Sequence, residues 1–334
     1  MPFEYEFVGC KKLQLQDLTA QGIRLYVQDK LNNHRHFAGL ACDKPVQASA
    51  LIDNIVRMSS GVFLWVDIVV RSLLEGLTNS DTVRDLQRRL QTLPPELDSL
   101  YSTMLRGINP PFYKEQASRL LQIFYQLNGM VSSLALSFAD EPDPQLAISA
   151  DLGPDSLQQV DARIDMTTNR LKSRCRGLLE VQKYYGSNKP DIVDHPQRPD
   201  KVQYLHLTVK EFLEKPEVWS ELLSWAPQRA FDSNVACLSG LILRLKKTFV
   251  FHGWGRHVAG LLDSAMSFAR QAEDSTAQAQ TALVEEVDRI ACLMFPPERQ
   301  SHWSTDPMGR HHEMCSVRCV ADHRPFSPTP LQKA

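Results

Sequence analysis

The stretch GVFLWVDIVVRSLLEGL, Gly61–Leu77, decides the fold of this chain. Its three charged residues, Asp67, Arg71 and Glu75, follow one another at steps of four, which places them on one face of a helix where neighbours can pair. Apart from Ser72, the rest of the stretch is apolar or glycine, and Trp65 is its largest side chain. A helix that is apolar on most sides is buried in a domain or spans a membrane, and this one is too short and too charged to span. We therefore predict the central helix of a helical domain.

The row of three charges, called the polar seam below, has two possible environments. It either faces solvent, or it is buried or lies against another domain. We expect the second environment.

Composition excludes several functional classes. The 334 residues favour two domains, and a formal net charge of −2 gives no general attraction to nucleic acid or to membranes. The seven cysteines are scattered and odd in number, which favours a reducing compartment. The N-terminal residues MPFEYEFVGCKKLQLQDL lack the apolar core of a signal peptide. We predict a cytoplasmic protein with no membrane partner.

The first third of the chain has mostly helical patterns. Phe3, Tyr5 and Phe7 alternate with acids and predict one short strand. Thr19 is the expected N-cap of the helix that follows, and Asp81 is the expected N-cap of a later one. Helical spacing recurs in the segments LIDNIV, ELDSLYSTML and ASRLLQIF.

The middle of the chain combines a loop, a long helix and a basic cluster. Residues 138–155 are acidic and rich in proline, so we predict a loop with one short helical turn. The helix that follows is expected to end near Cys175 and to bury a face that begins at Leu157. Its end carries four basic residues, Arg170, Lys172, Arg174 and Arg176. They either contact nucleic acid or flank an apolar stripe, and we favour the stripe because no aromatic residues interleave with them.

Two strands are predicted at Leu178–Lys183 and Val202–Leu207, joined by a polar, proline-rich loop. A helix follows at once, with Thr208 and Glu211 at the spacing of a capping box. A hairpin beside helices has the form of a winged-helix wing. The predicted fold is therefore mainly α: a helical bundle, then a winged-helix-like module with a short β-hairpin, then further helices.

The C-terminal third predicts four helices, over 218–225, 229–247, 256–271 and 276–294, and then an irregular tail. The tail contains the residues His311, His312, Cys315, Cys319 and His323. Thiolates and imidazoles bind zinc, but this spacing matches no standard finger. We interpret the cluster as chance and predict no metal site. The predicted domains are 1–130, 131–216, 217–295 and a disordered tail, 296–334.

Three segments in order, LQDLTAQGIRLYVQDKL, SSGVFLWVDIVVRSLLEGL and LQRRLQTLPPELDSLYSTML, resemble the region at the end of NACHT nucleotide-binding domains. The resemblance is to fungal NOD-like receptor-type STAND proteins, and SRCRGLLEV and YLHLTVKEFL are similar to a segment further downstream in that family. It covers roughly residues 13–215. It implies a helical lid and a winged helix, which in an intact receptor couple nucleotide state to oligomerisation. The domain that the polar seam would face is then the nucleotide-binding domain of the intact protein.

The resemblance also assigns a candidate residue. His206 lies where a winged-helix histidine of this family senses the phosphates of a bound nucleotide, and an imidazole N–H can donate to such an anion. The alternative, which we favour, is a histidine at a strand end that hydrogen-bonds a backbone carbonyl. The sequence contains no G-x-x-x-x-G-K-[ST] stretch to hold phosphates. We expect a non-catalytic segment with no cofactor, whereas an intact relative would be an NTPase.

Three functions remain open at this point. The first is a regulatory segment of a NACHT-type receptor, whose partners would be proteins or other receptor domains and which could form homo-oligomers when intact. The second is a stand-alone helical module that binds proteins through residues 217–295. The third, which we rank lowest, is a winged-helix binder of nucleic acid; we expect no nucleic-acid partner. No arrangement of catalytic residues with a known local motif is present in the sequence.

Overall fold

The computed structural model describes residues 15–128, 131–183, 200–226, 231–248, 255–272 and 277–294. In these ranges the chain is mainly helical and has one two-stranded sheet, which confirms the predicted mainly α fold. The helices are α1 (Leu15–Asn32), α2 (Arg35–Asp43), α3 (Pro45–Met58), α4 (Phe63–Thr78), α5 (Val83–Thr92), α6 (Leu97–Arg106), α7 (Phe112–Gln126), α8 (Ser133–Ala139), α9 (Gln145–Ser149), α10 (Leu157–Arg174), α11 (Leu207–Leu213), α12 (Pro216–Ser224), α13 (Ser233–Thr248), α14 (Gly255–Gln271) and α15 (Ala277–Met294). The strands are β1 (Leu179–Lys183) and β2 (Asp200–Tyr204). Among the described helices, none has the length and apolar character needed to cross a membrane.

The chain divides into two compact units. The first unit comprises Met1–Pro110, Cys175–Leu178 and Leu205–Val218. The second unit comprises Pro111–Arg174, Leu179–Tyr204 and Trp219–Ala334. The domain boundaries predicted from the sequence stay a prediction.

Helix α4 forms part of the hydrophobic core of the first unit. Helices α1, α2 and α5 pack against it. Its side chains at Val66, Val69 and Leu73 are fully buried. Trp65 is also fully buried, and its Nε1 donates a hydrogen bond to the carbonyl oxygen of Pro94 at 2.7 Å. The indole therefore contributes its large apolar area to the core without leaving its one donor unpaired.

Two predicted helix starts are wrong. Helix α1 begins at Leu15, so Thr19 lies inside it, where its hydroxyl donates to the carbonyl oxygen of Gly61 at 3.2 Å. Helix α5 has Thr82 as its N-cap, and the side chains of Thr82 and Asp85 form a reciprocal capping box. A capping box needs an acid or amide three residues after the cap, and Asp85 meets this requirement for Thr82. Asp81 pairs instead with Arg89 at 2.8 Å.

Helix α13 is the centre of the second unit. Helices α7, α8, α9, α14 and α15 pack against it. The approach to α8 is closest at Gly240, because a Cβ atom there would lie 2.6 Å from the backbone N and Cα of Ala139. Glycine therefore allows α8 and α13 to pack with their backbones nearly in contact. The surrounding hydrophobic core includes the buried residues Leu134, Phe138, Ile164, Leu238, Ile242, Leu283, Val287 and Ile290.

The predicted hairpin is present, and its strand bounds differ from the prediction by one to three residues. Strands β1 and β2 are antiparallel, with Val181 opposite Val202, and Val202 also forms an isolated bridge with Val131. Strand β2 ends at Tyr204, before the predicted end at Leu207, because the chain turns there to start α11. Residues 184–199, which join the strands, lie outside the described residues.

Other predicted elements have mixed outcomes. Helix α10 ends at Arg174, as predicted, and buries Val160, Ile164 and Leu171. Leu157 was expected on this buried face but is exposed, because it occupies the first turn of the helix, beyond the core. The predicted strand at residues 3–7 and the histidine- and cysteine-containing tail lie outside the described residues.

Candidate functional site

His206, the residue singled out by the resemblance, is the N-cap of α11. Its backbone is extended, and its Nδ1 accepts a hydrogen bond from the backbone N–H of Thr208 at 3.2 Å. The same Nδ1 lies 3.0 Å from the Thr208 hydroxyl oxygen. The imidazole thus takes the place of the short oxygen side chain that usually satisfies the first free amides of a helix.

Two expectations are corrected by this geometry. Thr208 is not the N-cap, so Thr208 and Glu211 do not form the predicted capping box, and Glu211 is exposed. The partner of the histidine is a backbone amide, whereas we expected a backbone carbonyl. A ring nitrogen that accepts from an amide can replace a threonine hydroxyl as a cap, and the sequence pattern alone favoured the threonine.

A tyrosine that the sequence pattern did not indicate completes this cluster. The Tyr101 hydroxyl lies 2.8 Å from the Thr208 hydroxyl, and its ring contacts Phe212 with centroids 5.4 Å apart. Burial raises the pKa of Tyr101, and the hydrogen bond with Thr208 opposes that rise. Tyr101, Thr208 and His206 therefore form a connected hydrogen-bonded row in the first unit.

The polar seam of α4 is partly exposed. Arg71 and Glu75 are exposed and Asp67 is half-buried, so the expectation of a buried seam is wrong for this chain. Asp67 accepts from Arg71 at 2.8 Å, as its spacing predicted, and from the Tyr26 hydroxyl at 2.5 Å. Burial, followed by this bond to a carboxylate, raises the pKa of Tyr26 to about 12. Contact of the seam with another domain stays a prediction.

Two of the four residues of the basic cluster, Arg170 and Arg174 on α10, make contacts inside the second unit. Arg170 pairs with Asp140 at 2.8 Å. Arg174 donates to the Gln116 side chain at 2.9 Å and stacks over the Tyr113 ring. These contacts favour the structural interpretation of the cluster over nucleic-acid binding.

Asp140, which pairs with Arg170, has a raised pKa. It follows α8 and is almost fully buried. Burial raises its pKa to about 6, although Arg170 and, more weakly, Arg119 favour the charged carboxylate. Burial therefore disfavours the charged form of Asp140 more than the nearby arginines favour it, and the carboxyl group takes up a proton near pH 6.

No group of three or more potential metal-ligating side chains occurs in the part of the chain that the structure describes. The candidate residues of the tail, from His311 to His323, lie outside that part. The structure therefore forms two separate polar groups, the capping cluster of Tyr101, Thr208 and His206 and the polar seam around Asp67. Each includes a tyrosine contact that the sequence pattern did not indicate.

Comparisons with known proteins give one match. Residues 108–250 match a protein family described as a domain of unknown function, DUF7791. Neither a curated protein nor a solved structure matches the chain. The matched segment contains α7–α13 together with the hairpin, and it ends before α14 and α15.

Proposed function

We propose that this chain is a non-catalytic regulatory segment of a NACHT-type signalling receptor, consisting of a helical lid, a winged-helix-like module and further helices. In an intact receptor these elements would couple the nucleotide state of an NTPase domain to oligomerisation. The proposal rests on the resemblance of several ordered segments, because no single segment is specific by itself.

The order of the motifs is the observation that carries the proposal. The first segment falls on α1, the second on α4 and the third on α5 and α6, all within the first unit. A helical lid needs a bundle that is stable by itself, and the fully buried apolar side chains of α4 supply the core of such a bundle.

The winged-helix-like part is supported by the order of the elements after α9. Helix α10 leads to the antiparallel pair β1 and β2, and α11 begins three residues after β2 ends. This order along the chain, helix, hairpin and helix, is the order expected of a winged-helix module.

His206 can serve in this proposal without losing its capping role. Because Nδ1 accepts the hydrogen bond from Thr208, the neutral ring carries its proton on Nε2. The residue is exposed, so the Nε2–H is the group that would donate to an anionic phosphate in an intact receptor.

Sequencing the complete transcript around the codon for Met1 tests the proposal. An in-frame G-x-x-x-x-G-K-[ST] stretch upstream would support it, because the phosphate-binding loop would then belong to the same protein. An in-frame stop codon with no such stretch between it and Met1 would count against it.

A helical module that binds other proteins is the second candidate. It is favoured by aromatic residues at the surface of the second unit: Phe112 and Tyr125 are exposed, and Tyr125 packs on Trp219 with ring centroids 4.8 Å apart. Aromatic residues are enriched at interfaces. Phe112→Ser with Tyr125→Ser should abolish capture of a partner if this candidate is correct, and unchanged capture would reject it.

A further inference from the structure

Helix α15 contributes one partner of a buried ion pair in the second unit. It packs against α13, α14 and α9. Lys246 of α13 has a completely buried side chain, and its Nζ lies 2.6 Å from Oε1 of Glu286 on α15. Separating such a pair is normally very unfavourable, because each charge is left buried and unpaired.

Each partner of this pair also makes hydrogen bonds that do not cross between α13 and α15. The Lys246 Nζ donates to the backbone carbonyl oxygens of Ile148 and Ala150, each at 2.8 Å, at the end of α9. The Glu286 carboxylate accepts from both Nε and Nη2 of Arg289, at 2.8 and 2.6 Å. Arg289 lies one turn further along α15, so this second contact belongs to α15 alone.

Lifting α15 off α13 would therefore leave neither charge without a partner. The ammonium group would keep two carbonyl acceptors, and the carboxylate would keep a two-point contact with a guanidinium group. The end of α13 is also held independently of α15, because Gly153 N–H donates to the Lys246 carbonyl and Asp155 N–H donates to the Lys247 carbonyl. Helices α9 and α13 thus have their own connection.

We propose that α15 is a strap that undocks reversibly from α13 and α9 while the rest of the second unit stays folded. The closed state dominates because α15 buries an aliphatic stripe of Leu283, Val287 and Ile290. Undocking exposes an aliphatic surface with the Lys246 ammonium group within it. That surface fits an amphipathic helix that carries a carboxylate, as α15 itself does. The proposal does not depend on the proposed receptor function.

Hydrogen exchange followed by mass spectrometry on the full chain tests the strap directly. In the wild-type protein, amides of α15 should exchange at least about 10-fold faster than those of α13 and α8, because they open without global unfolding. Equal protection of α15 and α13 would overturn the proposal.

A pair of variants on α15 gives a second, independent test. Glu286→Gln weakens the contact with Lys246 in the closed state and should speed exchange in α15 by about 10- to 100-fold, the factor expected for a hydrogen bond to a charged group. Glu285→Gln changes the exposed neighbouring acid and should leave exchange unchanged. If Glu286→Gln speeds exchange equally in α13 and α15, the helix opens only with the whole unit and the strap does not exist.

Discussion

Replacing Gly240 by alanine should destabilise the second unit, although alanine is the better helix former. A Cβ atom at Gly240 would lie 2.6 Å from the Ala139 backbone N and Cα and 2.9 Å from its Cβ. Carbon atoms pack at about 3.5–4.0 Å, so α8 and α13 must separate by about 1 Å. Backbone atoms cannot rotate aside as a side chain can. We expect overpacking to cost about 1–3 kcal/mol, partly offset by about 1 kcal/mol of helix propensity.

Gly260→Ala is the matched control. Gly260 lies in α14 and is exposed, and a Cβ atom there meets nothing within 4 Å. This variant should be stabilised by up to about 1 kcal/mol. Urea denaturation followed by circular dichroism measures both changes. If Gly240→Ala is as stable as Gly260→Ala, the close approach of α8 and α13 is wrong.

Three further substitutions test the other contacts. Folding raises the pKa of Asp140 from 3.8 to about 6, so its neutral form stabilises the fold at low pH and this contribution is lost as the pH rises through that interval. Asp140→Asn should therefore remove about 1–3 kcal/mol of the pH dependence of the unfolding free energy, measured by urea titration. An unchanged pH profile would contradict this. His206→Ala should lower the stability of the first unit by about 0.5–2 kcal/mol because the cap is lost, whereas His206→Asn should keep most of the wild-type stability. Equal losses of stability for the two variants in thermal denaturation would reject the capping role. Arg71→Leu should change stability by at most about 0.5 kcal/mol, because Arg71 is exposed; a loss of several times that value would show that the seam is covered.

Helix α4 was predictable because its signal is local and strong. A long apolar run with charges every four residues fits only a largely buried helix, and α4 extends from Phe63 to Thr78 as that pattern requires. The same holds for the hairpin, whose strands the pattern places within a few residues of β1 and β2. Patterns of apolar and polar residues along the chain indicate such burial directly.

The capping cluster was not predictable in the same way. The Thr208 and Glu211 spacing satisfied a local rule, but the capping residue is the uncommon His206, two residues before Thr208. The contact that holds Thr208 comes from Tyr101, 107 residues away in sequence. Nothing local marks such a pair, because it depends on how α6 and α11 pack.

The buried ion pair of the second unit shows the same limit. Lys246 lies in the last turn of α13, where a lysine is usually solvated and favourable to the helix dipole. Its burial follows from the packing of α9 and α15 around it. Glu286 likewise reads as an ordinary helix-surface acid until α15 is placed against α13.

Titration of the full chain with ATP and with ADP, each with magnesium, tests the central claim most directly. The proposed segment contains no phosphate-binding loop, so isothermal calorimetry should show no saturable binding and no turnover of ATP should be measurable. Tight, magnesium-dependent binding of either nucleotide to this chain alone would contradict the proposal that it is the non-catalytic part of a receptor.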